Sequence, residues 1–336
     1  MTTRRPLDPT ELAAVLAPVG TPVSVRELTG GLFAAVQQVE LSDGRTVVTK
    51  TGVSPAIPRP PLLTYERDLL RAEIALLRAA APAPVPTPAV LHADLTRTLV
   101  DVDVLVMEHV PGTSWQEVRT ALPDDVTRRT EHEWGAVLAG FHTRTGRLFG
   151  YPSSPGLQGQ RWPEVFSAMV DALLTDAVTW GVDVEAGRVR AALAEATGAL
   201  APVTEPVLVH MDLWPGNVLI DTSTGRITGV VDLERGIFGD PLMDLVGAEA
   251  MSVVAPSAGL LEGYRSAGGH LPDEPTSGTL SGFDAAADRR LALYRLYLTL
   301  LMTIEIVPRA YAGDWLGEYR QTLLANRADL FDQLGV

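Results

Sequence analysis

Val207-Leu208-Val209-His210-Met211-Asp212-Leu213-Trp214-Pro215-Gly216-Asn217-Val218-Leu219-Ile220 is an apolar run that breaks into a polar loop and then resumes. The pattern predicts two short strands with a rigidly held loop between them, a good platform for catalytic groups. The loop presents His210, Asp212 and Asn217. Downstream, Ser223-Thr224-Gly225 turns the chain, so 218–220 and 227–231 should pair as a hairpin that ends on Asp232. An aspartate, an asparagine and a second aspartate across a hairpin suit Mg²⁺, which prefers hard oxygen ligands together with substrate phosphates.

Working outward from this loop, the first hundred residues read as strand-rich. Strands are expected over 23–28, 34–41 and 46–51, the last two joined by the turn Ser42-Asp43-Gly44-Arg45. Leu70, Ile74 and Leu77 recur at helical spacing within 64–80, and the Ala/Pro stretch over 81–88 stops that helix. Further strands are expected at 90–91 and 99–106, giving an antiparallel sheet with one inserted helix. After Pro111-Gly112 the pattern turns helical, with helices expected over 130–145, 162–180, 186–200 and 288–307. The reading is an α+β chain of two lobes, a small β lobe over 1–108 and a larger, mostly helical lobe over 109–336.

Composition narrows the function. The chain has 336 residues, with 27 basic against 41 acidic side chains and a formal charge of −14. No basic run interrupts this balance, so nucleic acid is not an expected partner. The absence of cysteine excludes disulfides, thiolate metal sites and cysteine nucleophiles. Early charges and prolines break any signal core, and the most apolar late segment carries Arg295 and Glu305, so a cytoplasmic protein with no membrane partner is expected. Of the basic residues, 26 are arginine and the single lysine is Lys50, at the end of a predicted strand. A lone lysine in so arginine-biased a chain suggests a site that needs a compact ammonium rather than a planar guanidinium.

Taken together, these residues resemble the aminoglycoside phosphotransferase and choline kinase-like family, the small-molecule branch of the protein-kinase-like fold. His-x-Asp-Leu-x-x-x-Asn at His210 to Asn217 is similar to that family's catalytic loop, and Asp232 to its metal-binding aspartate. Gly239-Asp240-Pro241-Leu242-Met243-Asp244-Leu245 resembles the segment that follows. Lys50 falls at the family's third-strand lysine and Glu73 at its helix glutamate, with Glu66 as the competing acid. Met107, Glu108, His109 and Val110 lie where the lobe hinge should be, and Gly30-Gly31 where the nucleotide loop should be. Met211 departs from the pattern, standing where glycine is commonest. Leu213 to Asn217 also resembles fructosamine kinases.

The resemblance implies a bilobal protein-kinase-like fold and an ATP- and Mg²⁺-dependent transfer of phosphate to a hydroxyl of a small molecule, with GTP an alternative donor. Asp212 would be the catalytic base. His210, grouped with it at the catalytic site, is read as bracing the loop through hydrogen bonds. Asn217 and Asp232 would hold the metal, Lys50 would contact the phosphates and Glu73 would orient it. Asp244 is read as tying loop amides, His142 as a packed helix-end residue, and Asp240 is left open. An antibiotic is the expected substrate class, with a choline-, homoserine- or fructosamine-type metabolite as the alternative and a non-catalytic nucleotide-binding scaffold as a third reading. The chain is expected as a monomer or homodimer. Glu249, Glu262, Glu305, Asp314 and Glu318 are candidates to line the cleft for a cationic substrate, and each is equally readable as a solvated helix face.

Overall fold

A computed structural model of the chain describes residues 5–28, 34–52, 63–253, 256–272 and 283–336. The first helix, α1 (Pro9–Leu16), is opened by Asp8, whose carboxylate accepts from Thr10 N and Glu11 N while Glu11 accepts from Asp8 N. This reciprocal cap satisfies amides that the first helical turn leaves open. Strands β1 (Pro22–Leu28), β2 (Ala35–Leu41), β3 (Thr46–Thr51), β4 (Val90–Asp94) and β5 (Val104–Glu108) form an antiparallel sheet in the order β1-β2-β3-β5-β4. In β5, Val104 and Val106 pack with Leu12, Val15 and Leu16 of α1, while Leu105 and Met107 join the main core. Alternate residues point to opposite faces, so β5 is apolar at four successive positions because both faces are covered.

The helix α2 (Leu69–Ala80) joins β3 to β4. It starts later than the apolar spacing suggested, because Asp68 adopts a left-handed backbone (φ 49°) that cannot continue a right-handed helix. The strand expected over 99–106 is also displaced. Asp94, Thr96 and Thr98 hydrogen-bond with one another into a turn, and Asp103 is clasped by Arg71 and Arg97, so pairing begins only at Val104.

The remainder is mostly helical: α3 (Trp115–Val118), α4 (Asp124–His142), α5 (Trp162–Trp180), α6 (Ala186–Ala196), α7 (Leu242–Ala248), α8 (Ala258–Ser266), α9 (Ala285–Glu305) and α10 (Leu316–Leu334). Helices α4 and α8 pack backbone to backbone: a Cβ on Gly263 would lie 1.8 Å from His132 O, and one on Gly135 2.0 Å from Leu260 O. Between the helices run short strands β6 (Thr113–Ser114), β7 (Phe149–Gly150), β8 (Gln158–Gly159), β9 (Val207–Val209), β10 (Val218–Ile220), β11 (Ile227–Val230) and β12 (Ile237–Gly239). They assemble as β11-β10-β6 and β8-β7-β12-β9, and β9 and β10 frame the loop that carries His210, Asp212 and Asn217. One continuous apolar core runs from Val48 in β3 to Leu334 in α10, so the sheet and the helical part share buried surface. Among the described residues no helix is long and apolar enough to cross a membrane.

Candidate active site

The loop between β9 and β10 is fixed from below. Asp244, fully buried in α7, accepts from His210 N at 3.1 Å and Met211 N at 2.8 Å, and its Oδ2 also meets His142 Nε2 at 3.0 Å. His142 bonds Tyr264 through its other ring nitrogen (2.8 Å), so it bridges α8 to this anchor rather than merely packing at a helix end. Trp134 Nε1 donates to Leu213 O at 2.9 Å. Met211, the departure from glycine, takes a left-handed backbone (φ 67°), which explains why glycine would suit the position. Gly247 leaves room for that turn, since a Cβ there would sit 2.4 Å from Met211 O.

His210 is buried, with Nδ1 accepting from Asp212 N at 3.4 Å and Nε2 against Val231 O at 3.1 Å. Only the neutral ring with its proton on Nε2 satisfies both contacts. Burial pushes its pKa down, further than the neighbouring Asp244 and Asp212 raise it. Both nitrogens are thus committed to the backbones of the two segments that carry Asp212 and Asp232.

Asp212 projects into the cleft with its side chain 27% exposed. Burial raises its pKa, and the guanidinium of Arg235, 4.0 Å from Oδ2, works against that rise. Asn217 donates from Nδ2 to Asp212 O at 2.8 Å, which leaves its Oδ1 as a free acceptor. Val231 N donates to Asn217 O, holding the start of the next turn beside the loop. Asp232 then adopts a left-handed backbone (φ 63°), a conformation that aspartate tolerates better than most residues.

Lys50 joins the two halves of the site. Its Nζ lies 2.7 Å from Glu73 Oε1 and 2.5 Å from Asp232 Oδ1, and it is 4% exposed. Burial alone would lower the lysine pKa, but Asp232 and Glu73 outweigh it and hold the ammonium charged. The same ammonium depresses the pKa of Asp232. Glu66 takes no part in this cluster; it accepts from Leu63 N and pairs with Arg309 at 2.7 Å.

Lys50, Asp212, Asn217 and Asp232 line one cleft of about 1680 Å³, together with Met107, Glu108, His109 and Val110 from the end of β5. A single small ligand usually occupies roughly 300–1,000 Å³, so this space suits two substrates side by side. Glu73 and His210 stand behind the lining. Gly30 and Gly31 lie outside the described residues, although Leu28 and Ala34 on either side of them border the cleft. Among the described residues no three His, Asp or Glu side chains cluster as a metal cage. The free Oδ1 of Asn217 and the second carboxylate oxygen of Asp232, whose side chain is 40% exposed, supply two hard donors instead. That set fits Mg²⁺, which keeps waters and takes its other ligands from phosphates.

The remaining candidates divide. Glu249 and Glu305 border the cleft, whereas Glu262, Asp314 and Glu318 do not. Asp240 is structural: it accepts from Leu242 N and Tyr294 and faces Arg290 at 3.3 Å. Trp162 is core, while Trp214 borders the cleft. Sequence reasoning missed Arg235, which pairs with Glu305 at 3.0 Å, and Arg309, which joins Glu305 to Glu66. An arginine three residues beyond Asp232 was a legible signal for the first; nothing local marked the second.

The sequence signature of the phosphotransferase enzyme family (APH) matches residues 24–279. The chain belongs to the phosphotransferase enzyme family. Solved structures give this phosphotransferase its relatives in fold. A candidate fructosamine-3-kinase from Thermobifida fusca is 19% identical with a TM-score of 0.66, over 96% of this chain and 98% of the other. A thermostable mutant of the aminoglycoside phosphotransferase APH(4)-Ia, in ternary complex with AMP-PNP and hygromycin B, is 20% identical with a TM-score of 0.63, over 95% and 97%. The fold of the phosphotransferase is therefore kinase-like. An uncharacterised protein of Bacillus subtilis, YcbJ, is 39% identical over 64 residues, and the match spans 21% of that protein's length.

Proposed function

We propose that this phosphotransferase moves the γ-phosphoryl group of ATP to a hydroxyl of a small molecule, with an antibiotic as the substrate class. The observation that carries the reading is the meeting on one cleft of Lys50 with Asp212, Asn217 and Asp232 from a distant part of the chain. Phosphoryl transfer passes through a loose transition state, so it needs positioning and charge stabilisation more than covalent help. Asp212 would accept a hydrogen bond from the acceptor hydroxyl and receive its proton as the oxygen attacks. Lys50, oriented by Glu73, would meet the nucleotide phosphates. Asn217 Oδ1 and Asp232 would hold Mg²⁺, which when bound offsets the negative charge shared between nucleotide and acceptor. Residues 107–110 would receive the base at the cleft's back edge. His210 would serve as a positioning residue, keeping Asp212 and Asp232 in register.

Support for an antibiotic comes from the kinase-like fold shared with APH(4)-Ia, which was captured with hygromycin B and a nucleotide analogue. A metabolic acceptor is the second reading, favoured by the Thermobifida fusca neighbour and by the Leu213 to Asn217 string. A coupled ADP-release screen separates them: the protein with Mg-ATP is offered antibiotics of several classes beside choline, homoserine and a fructosamine, and the phosphorylated oxygen of any product is fixed by NMR. Turnover of an antibiotic with kcat/KM well above that of the metabolites supports the first reading. Turnover of a metabolite alone supports the second, and ADP release with no compound removes both.

A further inference from the structure

Glu73 takes its position from its helix. Its Oε1 accepts from Lys50 Nζ at 2.7 Å, while its Oε2 is buried with no hydrogen-bond partner among the described residues. Where that carboxylate lies, and with it the ammonium, therefore depends on where α2 is held. On the sheet side, Arg71 ties α2 to Asp103 at 2.8 Å and to Leu95 O at 2.7 Å. The other ties run to the helical part of the chain. Arg144 Nε donates to Ala79 O at 3.0 Å, near the end of α2. Residues 63–66, which lead into its start, are gripped at two points. Asp176 in α5, itself 6% exposed, accepts from Thr64 N at Oδ2 and from Thr64 Oγ1 at Oδ1, both at 2.8 Å. Arg309, beyond the end of α9, donates to Tyr65 OH at 3.1 Å and to Glu66 Oε1 at 2.7 Å. Tyr65 also packs on Tyr151, with ring centroids 5.3 Å apart.

We propose that Asp176 is a positioning residue for the nucleotide: it fixes the start of α2 through Thr64, and α2 in turn sets Glu73 and the Lys50 ammonium. The inference rests on the reading of Lys50 as the contact to the nucleotide phosphates. No residue of α5 borders the cleft, so Asp176 reaches a nucleotide only through other residues. Both of its oxygens are spent on Thr64, one of them on the backbone amide, so the bond holds the chain itself and not only a side chain. Such charge-assisted bonds are stronger than neutral ones, and breaking them strands a buried carboxylate away from water. Glu73 lies in the second turn of α2, close enough to the gripped end for a shift there to reach it. A misplacement of about 1 Å in a positioning group is enough to be felt at a reacting centre.

The test uses the full chain with Mg-AMP-PNP as the probe, its affinity read by calorimetry, and hydrogen exchange of the α2 amides in the protein alone. Asp176→Ala should raise the Kd about ten-fold and quicken exchange across 69–80. Asp176→Asn, whose amide can accept from Thr64 N and donate to Thr64 Oγ1, should recover most of both. In a Glu73→Ala background the same Asp176→Ala change should cost less than about twofold, because the carboxylate it positions is gone. A merely structural role gives the same fold-loss in both backgrounds. Thr64→Val removes only the side-chain bond and should raise the Kd about threefold with Glu73 present, which keeps the comparison open if Asp176→Ala does not fold. An unchanged Kd in the folded variants, or equal losses with and without Glu73, overturns the proposal while leaving the parent's nucleotide binding intact. A parent that does not bind Mg-AMP-PNP removes the kinase reading itself, and the proposal with it.

Discussion

Lys50 and Asp232, separated by 182 residues of chain, meet in an ion pair of 2.5 Å, and Glu73 holds the same ammonium at 2.7 Å. The only lysine in the sequence therefore sits at the junction of the sheet, helix α2 and the turn after β11. An ammonium offers three donors from one point and fits between two carboxylates; a guanidinium is planar and wider. Lys50→Arg should keep the charge yet lower kcat/KM by about 10²-fold or more, since misplacing a positioning group by about 1 Å costs that much. Steady-state kinetics check this, and full activity would show that the ammonium's shape is irrelevant.

Asp244 supports the loop from a position with no access to solvent. Asp244→Ala would leave His210 N and Met211 N without their acceptor and His142 without its partner. Each buried group stranded this way costs about 1–3 kcal/mol. Chemical denaturation should show a loss of about 3 kcal/mol or more, with kcat reduced because Asp212 is no longer held. A variant as stable as the parent would mean that the loop is anchored elsewhere.

Arg235 stands between Asp212, 4.0 Å away, and Glu305, 3.0 Å away. Removing it takes from Asp212 the guanidinium 4.0 Å away and leaves Glu305 with Arg309 and the Tyr311 hydroxyl. Breaking a buried pair by deleting one partner costs about 3–5 kcal/mol, and here the surviving arginine should reduce that to about 2. Arg235→Ala should therefore melt earlier and lose kcat, with Arg235→Lys between it and the parent. An unchanged melting temperature together with unchanged kcat would count against any supporting role.

The pH dependence of stability reports on His210. Its folded pKa lies below the unfolded value of about 6.5, so the unfolded chain binds that proton first as pH falls. Stability from this group is present above about pH 6.5 and is lost as pH drops from there toward the folded pKa. Glu234, pushed up to about 8 by burial, contributes the opposite slope, because its folded state holds a proton that the unfolded state gives up. The comparison is therefore between variants: from pH 7 to pH 5.5, His210→Gln should lose less in melting temperature than the parent. Parallel slopes would show that the ring is not buried in its neutral form.

Much of this site was legible in the sequence because its pieces are local. A strand that breaks into His210-Met211-Asp212 and resumes after Asn217 can be read from apolar runs and turn residues, and β3, α5 and the β10–β11 hairpin fall at or within a residue of where the patterns put them. Helix α1 escaped notice although Asp8 and Glu11 spell out its cap. Lys50 meets Glu73 and not Glu66 for a reason no spacing rule contains: Glu66 precedes the helix and pairs with Arg309, 243 residues away. Pairings of that kind, like Arg235 with Glu305, depend on which distant segments burial brings together. They leave no periodic trace, whereas Trp315 and Tyr319, four apart at the start of α10, were open to recognition.

The central claim is that Asp212 takes the proton of an acceptor hydroxyl during phosphoryl transfer. Mg²⁺-dependent ADP release by Asp212→Asn, measured with any acceptor the parent uses and set beside ATP affinity by calorimetry, tests it most directly. Loss of general-base assistance should slow transfer by about 10²–10⁴-fold while ATP affinity stays within about threefold. Transfer at a rate comparable to the parent, with ATP bound equally well, would contradict the account.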